Sequence, residues 1–175
     1  MAIDYPYKDS NVSLIQRAVE TGVAFRVYNR FTVPATGSVA FKAVLGDRNI
    51  ALLDRIINSD QSNILYQVFA GATVLTNVGS PFTIRNMNQN SEVVSTSLVQ
   101  QCTFSGGTES DLDILRGGGV GNNAFGTVFS TGIDHRVFSG NQTVVVKLSN
   151  PNVTAADVLV YLKWFEHKGG LEPSV

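Results

Sequence analysis

The sequence predicts an all-β fold: one antiparallel β-sandwich domain, entered by an extended N-terminal arm and one short helix. Three observations predict it. Apolar residues recur at every second position from Val23 onward, which is the period of a half-buried strand. Such stretches return roughly every ten residues, separated by Gly, Pro, Asn and Ser, the rhythm of a sandwich or barrel. The chain has 175 residues, 43% apolar and 15% charged. That is a globular composition of single-domain size, able to bury roughly 70% of its unfolded surface.

Residues 1–10, MAIDYPYKDS, carry two tyrosines, a proline and polar residues without a period, and read as the arm. The sandwich domain is expected over 11–170, with 171–175 as a C-terminal tail. Ser10–Gly22 begins as a helix, with Val12, Ile15 and Val19 near one face and Gly22 as its stop. Val23–Val33 then sets Val23, Phe25 and Val27 against Arg26, Tyr28 and Arg30. After a turn at Pro34–Gly37, the same device places Val39, Phe41 and Ala43 against Ala40, Lys42 and Val44. Asn49–Asp60 and Asn63–Leu75 follow as strands, the second broken at Gly71. Ser80–Asn88 and Glu92–Phe104, rich in β-branched and aromatic residues, are also expected to be strands. Ala124–Gly132, Thr143–Asn150 and Asp157–Gly170 complete the set. In the last, Val158, Val160, Leu162 and Trp164 share one face and Leu159, Tyr161, Lys163 and Phe165 the other.

The glycine-rich stretch Arg116–Gly126 contains GVGNNA (Gly119–Ala124), which fits a loose dinucleotide fingerprint. That fingerprint works only where a strand feeds glycines into a turn and a helix N-terminus meets the pyrophosphate. Here a β-branched stretch follows, and the region about 20 positions on has no carboxylate for a ribose. Read as a phosphate loop, the spacing of Gly121 and Gly126 puts Thr127 and Val128 where lysine and a hydroxyl are required. The stretch reads as a surface loop.

Other chemistry is thinly supplied. His135 and His167 lack zinc-site spacing, and Asp134 next to His135 faces the opposite way in a strand. No G-x-S-x-G elbow occurs, so no catalytic residue, cofactor or metal is expected. Glu109, Asp111 and Asp113 alternate, and in an extended segment line one side. This reads as a solvated acidic edge that discourages strand aggregation, with calcium as the competing reading. Cys102, the only cysteine, reads as a buried small hydrophobe. Trp164, Phe165 and Tyr161 read as packing residues rather than a sugar platform.

The formal charge is −1 and no Lys/Arg run exists, which argues against a sequence-independent grip on nucleic acid. No apolar run reaches the ~20 residues of a membrane span, and no signal peptide is legible. Synthesis in a cytoplasm is expected, with the N-x-S/T triplets at Asn11, Asn141 and Asn152 arising by chance.

Two segments carry a resemblance. In Phe69–Val99 a G-x-x-V strand leads to a glycine, then N-x-N and a small polar residue; Gly71, Val74, Gly79, Asn86, Asn88 and Ser91 fill those places, and Gln89 stands where an arginine is usual. Val144–Gly170 runs strand, Asn turn, strand, then an aromatic pair with glutamate: Trp164, Phe165 and Glu166. Over roughly its C-terminal hundred residues the chain resembles tailed-bacteriophage virion structural proteins of the head decoration (cement) type. The resemblance implies a jelly-roll-like sandwich on the capsid exterior, non-enzymatic, binding the major capsid protein and stabilising the shell. A homo-oligomer is expected, a trimer ahead of a dimer. A tail or neck component, or a carbohydrate- or receptor-binding module of the virion, is the alternative. Partner contacts are expected in the arm, at Tyr5, Pro6 and Tyr7, and in the loop Gly106–Asn123, at Arg116, Asn122 and Asn123.

Overall fold

The computed structural model describes residues 14–115, 126–129 and 137–168. The expected arm and tail lie outside these residues. The helix forms as α1 (Leu14–Glu20). It is too short to hold itself together in water, and its stability comes from packing. Ala18 sits against Ala24, Ala51 and Phe165, with Val19 and Leu53 alongside. Gly22 ends it with φ +72°, where the Val23 amide reaches back to the Ala18 carbonyl at 3.0 Å.

Among the described residues twelve strands follow: β1 (Ala24–Val33), β2 (Ser38–Val44), β3 (Asn49–Ser59), β4 (Ile64–Ala70), β5 (Thr73–Val78), β6 (Arg85–Asn86), β7 (Leu98–Ser105), β8 (Thr108–Leu115), β9 (Gly126–Phe129), β10 (Val137–Phe138), β11 (Thr143–Ser149) and β12 (Ala156–His167). One sheet runs β6-β1-β12-β3, and β9 and β10 both pair with β3. The other runs β5-β7-β2-β11-β4-β8. The pairing is antiparallel in both, and the two sheets pack face to face as a sandwich.

Alternation decides which side chains meet between the sheets. On β1, Phe25, Val27, Phe31 and Val33 point inward and are buried, while Tyr28, Arg30 and Thr32 are exposed. Phe31 stacks on Phe41 of the opposite sheet at 5.3 Å between centroids, and Phe82 meets Phe31 edge-on at 5.7 Å. Each large apolar side chain fully buried this way contributes about 1.5–3 kcal/mol. A smaller cluster of Ala40, Cys102 and Val145 lies under Phe69 and Phe104 on the outer face of the second sheet.

Two expectations are corrected. Between Ser80 and Ser97 only Arg85–Asn86 pairs. The Asn and Ser side chains of that segment hydrogen-bond to nearby backbone, giving it an alternative to a ladder, and Glu166 captures Ser95–Ser97 as described below. Thr108–Leu115, expected within a contact loop, is the edge strand β8.

Candidate functional site

Two β-bulges aim charged groups into the sandwich. In the β12–β3 ladder, Lys163 pairs with Asp54 and Trp164 with Leu52, so Leu53 is the extra residue. The face of β3 therefore changes phase there, and Arg55 turns inward beside Leu162. In the β4–β8 ladder, Val68 pairs with Asp111 and Phe69 with Glu109, leaving Ser110 as the extra residue. Asp111 and Asp113 thus point inward, while Glu109 goes outward to accept a hydrogen bond from Gln67 at 2.5 Å.

This corrects the expected three-carboxylate ladder. The inward pair is bound to Arg55: Nη1 donates to Asp111 at 2.9 Å and Nη2 donates to Asp113. The guanidinium also lies 4.8 Å from the Tyr66 ring centroid. Burial pulls the Arg55 pKa down, but Tyr66 and the two aspartates outweigh it, and the net direction is up. Burial likewise pushes the Tyr66 phenol up against the lowering influence of Arg55. The cluster joins β3 of one sheet to β4 and β8 of the other, and its carboxylates are committed to Arg55.

At another place between the sheets Glu166 is 1% exposed. Its carboxylate accepts from the Ser95 hydroxyl at 2.5 Å, the Thr96 amide at 3.1 Å, the Thr96 hydroxyl at 2.9 Å and the Ser97 hydroxyl at 3.2 Å. Trp164 Nε1 donates from 3.4 Å. Burial alone would raise this carboxyl, yet the donors from Ser95, Thr96 and Trp164 prevail and hold it below the usual carboxylate range.

The N-x-N motif now has a physical role. Asn86 Nδ2 donates to the carbonyls of Gly22 (2.7 Å) and Val93 (2.9 Å), and its Oδ1 accepts the Asn88 amide at 2.8 Å. Asn88 Nδ2 reaches the Glu20 carbonyl at 3.2 Å, and its Oδ1 accepts from the Asn90 amide at 3.0 Å. These amides tie the end of α1 to the segment that Glu166 holds. Asn150 does similar work elsewhere, donating to the carbonyls of Val33, Pro34 and Thr154.

A cavity of about 80 Å³ remains in the apolar interior, lined by residues of both sheets including Phe41, Ala43, Tyr66, Leu162 and Trp164. Trp164 and Phe165 are buried on opposite faces of β12, Trp164 in the central core and Phe165 under α1. Tyr161 is half-buried. Cys102 is buried as expected, and burial raises its thiol pKa. His167 is half-buried against Phe165, with ring centroids 5.6 Å apart. No group of three or more His, Cys, Asp or Glu suited to a metal occurs among the described residues.

The expected partner-contact residues Tyr5, Pro6, Tyr7, Arg116, Asn122 and Asn123 lie outside the described residues, as does His135. The sequence reading missed Arg55 and the Ser95–Thr96–Ser97 cradle. The signal for Arg55 was present: Asp54 and Arg55 interrupt the apolar run Leu52–Leu53 and Ile56–Ile57. The cradle had none, because its partner lies about seventy residues away. No described helix is long and apolar enough to cross a membrane. Neither a protein family, nor a curated protein, nor a solved structure matches the chain.

Proposed function

We propose that the chain is a non-enzymatic structural subunit of a tailed-bacteriophage virion. In this reading it is a head decoration protein that binds the major capsid protein on the outside of the capsid and stabilises the shell. The observation that supports it most is the strand order. Setting aside β5, β6 and β7, the two sheets run β1-β12-β3-β9/β10 and β2-β11-β4-β8, an order we read as a jelly roll, an architecture used in viral capsids. The inserted β7 and β5 widen the second sheet beyond β2.

The polar groups at the heart of the sandwich join segment to segment, in keeping with a part whose task is mechanical. A rigid sandwich is a platform for loops and arms. A closed homo-oligomer, a trimer first, multiplies weak contacts into avidity.

The test is co-sedimentation of the purified protein with capsids of its own phage that lack it. Saturable binding at a fixed ratio to the major capsid protein is expected. No binding under conditions that preserve the oligomer would overturn the decoration reading.

A further inference from the structure

We infer that the outer face of the β6-β1-β12-β3 sheet is a docking surface and that its occupant is an acidic protein surface. This deepens the virion reading and rests on it for the partner's identity, an acidic patch on the capsid exterior. The register sets Arg85 of β6 opposite Arg26 of β1, and Arg26 opposite Lys163 of β12. Tyr28 stands opposite Tyr161 in the next row along β1, and Arg30 occupies the row beyond.

Like charges directly across a ladder destabilise a sheet. Among the described residues only Lys163 of this row is compensated, by Asp54 at 3.1 Å. Among the described residues Arg26, Arg30 and Arg85 form no ion pair, and Arg26 Nε is buried without a hydrogen-bond partner. Local choices that oppose stability mark functional surfaces when nothing within the fold offsets them. Among the described residues no anion offsets Arg26, Arg30 or Arg85, and we assign that part to the acidic partner.

The composition agrees. Arginine and tyrosine are enriched where binding energy concentrates, because a planar fork and a rigid ring bury area at small entropic cost. Tyr28 is 55% exposed, and Arg30 and Arg85 are exposed beside it. Among the described residues α1 packs on this face at Ala24, Ala51 and Phe165, with Leu53 and Met87 alongside. A cationic face on a chain of formal charge −1 also orients an approaching acidic partner.

The acidic occupant is a protein rather than a nucleic acid. Binding to a phosphate backbone grows with the number of cations engaged. Among the described residues this face offers three unpaired ones, bracketed by Asp54 and, at the far end of β12, Asp157. From the strand geometry the patch is about 10 Å across and about 14 Å long, the scale of a few carboxylates on a folded surface.

The experiment compares the full-length protein with R30E/R85E, and with K42E/K147E, which makes the same charge change on the opposite sheet. Co-sedimentation with capsids that lack the protein is read at low and high salt, beside retention on immobilised polyglutamate and on double-stranded DNA. Capsid binding should be salt-sensitive, weakened at least about tenfold by R30E/R85E and little by K42E/K147E. Capsid binding unchanged in R30E/R85E overturns the docking face and leaves the decoration reading standing. If the unaltered protein fails to bind capsids, the decoration reading falls and polyglutamate decides the face: retention lost only in R30E/R85E upholds it, and equal retention of all three proteins overturns it. DNA retained more tightly than polyglutamate, and lost in R30E/R85E, overturns the choice of an acidic protein.

Discussion

The Thr96 amide and hydroxyl both donate to one oxygen of Glu166, at 3.1 and 2.9 Å, across an interval of seventy residues in the chain. That pair of bonds holds the Ser91–Ser97 segment in place where it forms no strand. A buried carboxylate is costly unless its lone pairs are filled, and here Ser95, Ser97 and Trp164 fill others.

Because the folded-state pKa of Glu166 is lowered, its contribution is fully present above the unfolded value of about 4.3. It fades as pH falls through the folded value. E166Q should cost about 1–3 kcal/mol near neutral pH. It should also flatten the loss of melting temperature below about pH 4.3. Thermal unfolding from pH 7 to pH 2 checks both, and parallel acid profiles of the two proteins would contradict the assignment.

The Arg55 cluster predicts non-additivity. R55M leaves Asp111 and the partly exposed Asp113 without their cation, and should destabilise by about 3 kcal/mol. Removing the carboxylates as well, in R55M/D111N/D113N, should recover much of that loss, since the uncompensated charge is the larger part of the cost. Urea unfolding of the single and triple variants measures it. An equal or greater loss in the triple variant would mean that the clamp itself, rather than the stranded charges, carries the energy.

Gly22 predicts a backbone effect. Its φ is +72°, and a Cβ there would lie 2.1 Å from the Ser91 hydroxyl oxygen. G22A should therefore cost about 1–3 kcal/mol. Amide exchange should quicken in α1 and around Asn86 before it does in β12. A G22A protein as stable as the parent, by urea unfolding, would exclude this close approach.

The interior cavity of about 80 Å³ predicts a gain. Ala43 lines it from β2, where a β-branched side chain suits the strand. A43V should add about 0.5–2 kcal/mol, or roughly 2–6 °C in melting temperature. A loss of stability would show that the space is already too tight for two more methyl groups.

Strand identity was a local property, legible because burial alternates with period two. Val27 and Phe31 face the core and Tyr28 and Arg30 face outward as the pattern of β1 requires. The stops at Gly22 and Gly71 were legible too, since both adopt positive φ and glycine does so without steric cost. The same local rule failed at Ser80–Ser97, where apolar and β-branched residues suggested strands. There the Asn86–Asn88 side chains and the distant Glu166 carboxylate take up the hydrogen bonds.

The class of fold, the alternation within each strand and the burial of residues such as Cys102 and Trp164 follow from local composition and period. Phase and partners arise only when strands meet. One unpaired residue at Leu53 and another at Ser110 turn Arg55 toward Asp111 and Asp113 and send Glu109 the other way. A bulge exists only relative to the strand beside it, so no window of sequence contains it. The row Arg85–Arg26–Lys163 is likewise a product of register. Its members come from three strands far apart in the chain, and their mutual repulsion arises only when the sheet assembles.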